Sequence, residues 1–201
     1  MMQLIKESEG FQEPRLAKFI FSSPKMAVFW LAVRLYVGWE WLSAGYEKAI
    51  SPVWTGNQAG TAMGGFVAGA LKNTAGDHPS VQGWYAWVLT NLVQPNTVAW
   101  SYAITVGEIL VGLGLIFGLF TGIAAFFGGL MNANYLLAGT VSTNPSLFIL
   151  ATGLVLAWRA AGLLGLDYFA LPFLGVPGQP GRLVKQHDGT APPTLAPTPA
   201  S

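Results

Sequence analysis

The sequence contains no cysteine and very few charged residues. Of its 201 residues, 9% are charged and 52% are hydrophobic, whereas about 25% of residues are charged in a typical soluble domain. The absence of cysteine excludes disulfides, iron–sulfur ligation and cysteine-based zinc sites. The net charge of +1 gives no reason to expect a nucleic-acid partner. This composition is typical of a membrane protein.

Histidine is almost as scarce as cysteine. The chain has His78 and His187, and both lie outside the long apolar stretches. A haem held by two histidines between membrane spans is therefore excluded. The glycine fingerprints of nucleotide-binding loops are also absent in the required strand–helix context. We expect no haem, iron–sulfur or metal site in this chain.

Four apolar stretches reach the roughly 20 residues that a helix needs to cross a bilayer. They predict spans at residues 26–46, 98–119, 121–141 and 146–166. Ser23-Pro24 and Asn144-Pro145 are typical helix starts, and a tight hairpin is predicted at Phe120. The predicted fold is all-α, a polytopic membrane four-helix bundle. The predicted parts are an N-terminal segment (1–25), the membrane domain (26–170) and a disordered Pro/Gly-rich tail (171–201).

Arginine and lysine predict the orientation of the bundle, because cytoplasmic segments carry more of them. Residues 1–25 contain four and the tail contains two, whereas the long loop 47–97 contains two. We therefore predict a protein of the cell membrane with both termini in the cytoplasm and this loop outside. Segments 64–71 and 80–93 of the loop are apolar but too short to span. They are predicted to be short interfacial or re-entrant helices that form a lid.

Ionisable side chains inside the spans are the main functional signal. Each costs about 2.5–3.5 kcal/mol even on the most permissive scale, and so marks a candidate site. A rise of about 1.5 Å per residue from the inner edge places four polar residues at a similar depth: Arg34, Glu108, Asn132 and Arg159. Glu108 is predicted to pair with one guanidinium. The other guanidinium and Asn132 would then bind a carbonyl or anionic oxygen. The alternative is that these groups only fix helix packing.

Three motifs resemble those of the DoxX/DoxD membrane proteins. The first helix carries Arg34-Leu-Tyr-Val-Gly38, followed by Gly45 and Lys48. The second carries Gly107-Glu108, Gly112 and Gly118-Leu-Phe-Thr121, and the last carries Trp158-Arg159 and Gly165-Leu-Asp167. The resemblance covers roughly residues 26–170. It implies a four-helix membrane subunit like DoxD, which belongs to thiosulfate:quinone oxidoreductase and works with a small subunit, DoxA.

The resemblance also implies a redox function and its partners. The chain would be a membrane subunit of a quinone-linked oxidoreductase, in effect a thiosulfate dehydrogenase (quinone) subunit, with quinone as electron acceptor. Its partners would be the lipid bilayer, quinone, and a DoxA-like small subunit or another membrane-associated redox protein. The predicted catalytic residues are Arg34, Glu108 and Arg159. The predicted substrate- or quinone-binding residues are Asn132, Lys48 and Trp41. The alternatives are a non-catalytic scaffold of a redox or stress complex and a small anion transporter.

Overall fold

The structure, a computed structural model, describes residues 14–176, and this part of the chain is all-helical. The predictions for residues 1–13 and 177–201, including most of the disordered tail, lie outside the described residues. The helices are α1 (Arg15–Ser22), α2 (Ala27–Ala49), α3 (Thr61–Lys72), α4 (Gly83–Val88), α5 (Thr97–Phe117), α6 (Thr121–Leu137), α7 (Asn144–Leu156), α8 (Trp158–Gly162) and α9 (Asp167–Phe173).

The helical core consists of α2, α5, α6 and α7. Helix α5 packs against α2 and α6, and α7 packs against α6 and α2. Large buried side chains fill the interior, among them Trp30, Val37, Leu115 and Leu154. The predicted helix starts are confirmed: Ser23 Oγ accepts a hydrogen bond from the Lys25 amide, and α7 begins at Asn144.

Two findings differ from the predicted spans. The predicted fourth span is interrupted at Ala157, which separates α7 from α8, and α6 ends at Leu137. Among the described residues, one continuous helical stretch is long and apolar enough to cross a membrane. It extends from Gly83, the first residue of α4, to Phe117, the last residue of α5. The pair Arg15–Ser22 and Pro24–Ala49, bent by 51°, would add a second if it counts as one span. The predicted N-terminal segment (1–25) contains the short helix α1, for which the sequence analysis made no prediction.

Glycines set the distance between α2 and α5. A Cβ atom at Gly112 would lie 2.6 Å from the Leu42 amide nitrogen, and one at Gly45 would lie 2.9 Å from the Ile109 amide nitrogen. Backbones approach this closely only where a side chain is missing from the contact, as at small-residue interfaces of membrane helices. These contacts fix the register, with Gly45 beside Glu108.

We expect Gly112→Ala to destabilise the protein, because the added methyl group meets the backbone of α2 at 2.6 Å. The expected loss is about 1–3 kcal/mol, as for other overpacked cores. The measurement is the melting temperature in detergent. Gly69→Ala is the matched control, since a Cβ at this glycine of α3 has nothing within 4 Å. Equal melting temperatures for both variants would contradict the close packing of α2 and α5.

A lid covers one end of the helical core. It consists of α3 and α4, the two helices in the loop where short helices were predicted. Apolar side chains of the two helices and of the residues that flank α4, including Val67, Val81 and Leu89, pack with Ala138 just after the end of α6. The Tyr85 hydroxyl is 3.0 Å from the Asn134 carbonyl oxygen, to which it donates. We call this the lid end of the core.

The opposite, hairpin end is closed by a turn between α5 and α6. Gly118 and Phe120 both adopt left-handed backbone conformations, with φ of 63° and 52°. The Asp167 carboxylate accepts hydrogen bonds from the amides of Phe120 (2.6 Å) and Thr121 (2.9 Å). It therefore satisfies the first amides of α6, as a capping side chain does. The predicted hairpin at Phe120 is confirmed, and Asp167 fastens it to the C-terminal helices.

Candidate functional site

Glu108 forms the central charged contact of the helical core. Its Oε2 lies 2.8 Å from Lys48 Nζ, and its Oε1 accepts a hydrogen bond of 2.7 Å from the Tyr135 hydroxyl. Three helices therefore contribute one polar group each: α2, α5 and α6. Glu108 is 1% exposed. A carboxylate this deeply buried is retained only when it is paired and hydrogen-bonded, as this one is.

Lys48 links this buried carboxylate to the lid side. Its side chain is 19% exposed, and its ammonium lies 5.1 Å from the ring centre of Trp54. A cation over an indole face gains electrostatic attraction. One partner of the ion pair is therefore sealed in the core, and the other reaches toward the surface.

Two predicted binding residues lie near this ion pair. The Trp41 ring stacks on Tyr135 with centroids 6.5 Å apart. Asn132 is fully buried on the face of α6 that also carries Gly128 and Tyr135. Gly128 faces the Trp41 indole nitrogen, and Tyr135 stacks on the Trp41 ring. Asn132 lies between Gly128 and Tyr135 on α6 and therefore faces the same side of the core as Trp41. Among the described residues, Trp41 Nε1 and both amide atoms of Asn132 have no hydrogen-bond partner.

A cavity of about 260 Å³ adjoins this cluster beneath the lid. Phe66 and Tyr85 line it from the lid, and Tyr135 and Asn134 line it from α6. Trp41 and Asn132 do not line it. Tyr135 therefore connects the cavity with the ion pair, since it lines the cavity and its hydroxyl contacts Glu108. Among the described residues, no cluster of acidic or histidine side chains is arranged to hold a metal ion.

Arg34 lies elsewhere, at the hairpin end. Its guanidinium donates to the carbonyl oxygens of Ala161 (2.9 Å) and Leu164 (3.0 Å). Asp167 is its acidic neighbour, and Arg34 is 1% exposed. Carbonyls at the end of a helix have no amide partner within that helix. The Ala161 carbonyl in the last turn of α8 and the Leu164 carbonyl just after it are therefore available as acceptors. Arg34 therefore joins α2 to the C-terminal segment.

The expected pairing of Glu108 with a guanidinium is wrong, because Arg34 and Glu108 lie at different levels. Arg34 lies against Gly118, the residue that directly follows α5, whereas Glu108 lies within α5 beside Gly45. At a rise of about 1.5 Å per residue, Gly118 and Glu108 are about 15 Å apart along α5. The ends of the two helices do not lie in one plane: α2 begins at Ala27 and reaches the level of Gly118 only at Arg34, so its first two turns extend past the hairpin.

Arg159 also lies away from Glu108. It is exposed on α8, with its guanidinium carbon 4.9 Å from the ring centre of Trp158. Trp158 faces Gly122 at the start of α6, so this arginine belongs to the hairpin end. Of the six predicted site residues, the structure brings together Glu108, Lys48, Trp41 and Asn132. It separates Arg34 and Arg159 from that group.

Two residues of these sites were missed in the sequence. Tyr135 is not among the predicted site residues; the available signal was its position three residues after Asn132, on the same face of α6. Asp167 was noted only as part of the last motif. An acidic residue that directly follows a span was the available signal for a capping role.

The fold and the buried ion pair together indicate the class of protein to which the chain belongs. The described chain is an all-helical protein with a long apolar helix and an ionisable pair in its interior, as in membrane-associated proteins. A family model described as "TQO small subunit DoxD" matches residues 29–176. The chain belongs to the DoxD family, which is membrane-associated. Comparison with curated proteins and with solved structures gave no match.

Proposed function

We propose that this protein is the membrane subunit of a quinone-linked oxidoreductase whose electrons come from thiosulfate. The observation that carries the proposal is the buried Lys48–Glu108 pair, hydrogen-bonded to a tyrosine that borders a cavity. Membership of the DoxD family supports the link to thiosulfate and quinone. In this proposal a DoxA-like or other redox subunit delivers the electrons of thiosulfate, as membership of the DoxD family suggests.

The outer surface of the core supports a multi-pass arrangement in the membrane. Large apolar side chains are exposed on each core helix, for example Phe29, Leu110, Phe126 and Ile149. Exposed apolar surface this extensive is rare on soluble monomers and matches contact with lipid. In the proposed arrangement the four core helices cross the cell membrane and the lid faces outward, with both termini in the cytoplasm.

The residues at the cavity fit a quinone ring. A quinone carbonyl requires hydrogen-bond donors, and the Tyr135 hydroxyl and the Asn134 amide border the cavity. Met63, Phe66 and Leu89 supply the apolar walls that such a ring needs. Bound quinone would accept two electrons and two protons to become quinol.

The proposed role of the ion pair is to hold and deliver a proton. The Tyr135 hydroxyl both contacts Glu108 and belongs to a residue that lines the cavity. In the proposed step Glu108 first takes up a proton from the Lys48 side. Its carboxyl group then donates that proton to the Tyr135 oxygen while the Tyr135 hydroxyl proton passes to a quinone oxygen, and a second round supplies the second proton of the quinol. Lys48 stabilises the Glu108 carboxylate when that carboxylate is charged, and its partial exposure provides a route for protons from the lid side. Arg34 and Arg159 act on helix packing at the hairpin end.

The first test is thiosulfate-dependent reduction of duroquinone, a quinone without a tail, by the protein purified with its co-purifying subunits. Tyr135→Phe is expected to lower the rate by about tenfold or more, because general acid–base groups contribute about 10²–10⁴. Tyr36→Phe is the matched control, since Tyr36 is 49% exposed on α2. Its rate is expected to stay within twofold of the wild-type rate, an approximate limit for a surface change.

Each other outcome of this test has a clear meaning. An unchanged rate in Tyr135→Phe would contradict the proposed proton route. No quinone reduction by the wild-type complex would contradict the proposed function. That last result would favour the scaffold alternative, in which variants of the polar cluster lose assembly rather than catalysis.

A further inference from the structure

A second cavity among the described residues, larger than the one under the lid, is a cleft between α5 and α6, and neither Lys48 nor Glu108 lines it. Its volume is about 620 Å³. On α5 its lining extends from Ala103 to Phe117, which corresponds to a length of about 21 Å at 1.5 Å per residue. The cleft is long, narrow and formed almost wholly by apolar side chains, so it suits a chain-like apolar molecule rather than a polar one.

Missing side chains create the floor of the cleft. Gly107 and Gly114 are on the lining face of α5, and Ala124 of α6 lies opposite Gly114. A Cβ atom at Gly107 would meet only Met131 Sδ, at 3.5 Å, so this position has free space beside it. The rim consists of exposed apolar side chains, including Leu110 (62%) and Ile123 (58%). The cleft therefore opens sideways along the helices, where lipid would lie if the core spans the membrane.

The cleft and the cavity under the lid are neighbours. Met131 on α6 lines both of them, and a methionine side chain is flexible enough to let two such spaces join. Tyr135, which also lines the cavity and follows Met131 by one helical turn, contacts Glu108. One end of the apolar cleft therefore lies beside the polar cluster to which the proposed function assigns the quinone ring.

We infer that the α5–α6 cleft binds the isoprenoid tail of the quinone, which enters from the lipid with its ring leading toward Tyr135. This inference rests on the proposed function and specifies the substrate as a long-tailed, membrane-resident quinone. The continuity at Met131 favours a quinone tail over a phospholipid acyl chain, because an acyl chain has no group that would use the tyrosine at the end of the path.

The test uses two photoreactive quinones, one labelled at the end of its tail and one labelled on its ring, with the purified complex in lipid nanodiscs. The tail label is expected on peptides of α5 and α6 that line the cleft, and the ring label on the lid and the peptide containing Tyr135. Excess unlabelled quinone must compete with both. Gly107→Phe fills the cleft and is expected to reduce competed tail labelling by at least about tenfold, which corresponds to about 1.4 kcal/mol of lost affinity.

Val106→Phe is the matched control. Val106 directly precedes Gly107, its side chain is 51% exposed, and it does not line the cleft. Val106→Phe should label as the wild type does and should reduce tail-less duroquinone at the wild-type rate. Gly107→Phe should elute with its subunits in size-exclusion chromatography as the wild-type complex does, which shows that the loss of labelling is not a loss of folding. Competed tail labelling on α2 or α7 would overturn the tail site and leave the proposed function intact. Labelling of the cleft that excess quinone does not reduce would assign it to ordinary lipid. Absence of competed labelling with both probes, together with no duroquinone reduction, would remove the proposed function as well.

Discussion

Arg34→Ala is expected to lower the free energy of unfolding by about 3–5 kcal/mol, the usual result of breaking a buried charged contact. The variant removes two hydrogen bonds to the carbonyls of Ala161 and Leu164 and leaves Asp167 without its buried cationic neighbour. For a chain of this size the melting temperature should fall by on the order of 10 °C. The measurement is thermal loss of monodisperse protein in detergent, followed by size-exclusion chromatography.

The control for this experiment is Arg159→Ala, which also removes an arginine near the hairpin end. Arg159 is exposed, and the contacts of an exposed charged side chain usually contribute about 1 kcal/mol or less, so its loss is expected to cost no more than that. A double variant of Arg34→Ala with Asp167→Asn should lose less than the sum of the two single variants, because the two charges interact. A stable Arg34→Ala protein that no longer reduces quinone would contradict the structural role and restore the catalytic assignment.

Glu108→Gln is expected to lower the rate of quinone reduction by about 100-fold, within the range for loss of a general acid–base group. The amide keeps the size of the side chain and its contact with Tyr135, but it cannot carry the proton. The measurement is the rate of thiosulfate-dependent duroquinone reduction by the purified complex at saturating thiosulfate.

The variant also leaves the Lys48 ammonium without its carboxylate, so stability has to be separated from catalysis. A double variant, Lys48→Met with Glu108→Gln, replaces both charges, and such replacements are often neutral for stability. We expect this double variant to fold as the wild type does and to remain inactive. Recovery of activity in the double variant would mean that Glu108 only neutralises Lys48, and it would refute the proton role.

Much of the secondary structure could be predicted from the sequence. The apolar stretches predict the main helices, and two of these helices begin near Ser23-Pro24 and Asn144-Pro145, as predicted. Helix starts can be predicted because they depend on local chemistry. The hairpin at Phe120 and the short helices of the loop were also predicted. The break at Ala157 was not, since no glycine or proline marks it in an otherwise apolar segment.

The composition of the candidate site was predicted only in part. Glu108 was correctly expected to have a charged partner, because a lone buried carboxylate is too costly to retain. The depth of each residue below its predicted span end indicated an arginine as the partner of Glu108, whereas the partner in the structure is Lys48. The close contact of Gly112 with Leu42 sets the true register, and such a contact depends on how two helices fit together.

The sequence by itself determined the class of the protein: an all-helical, cysteine-free chain with a few ionisable residues in apolar stretches and the motifs of the DoxD family. Only the tertiary structure decided which of these residues meet. It placed Arg34 with Asp167 at the hairpin end and Glu108 with Lys48 and Tyr135 nearer the lid. The physical reason is that hydrophobicity and charge fix which residues require burial or a partner. The partner itself is fixed by helix register, which depends on packing between residues far apart in the chain.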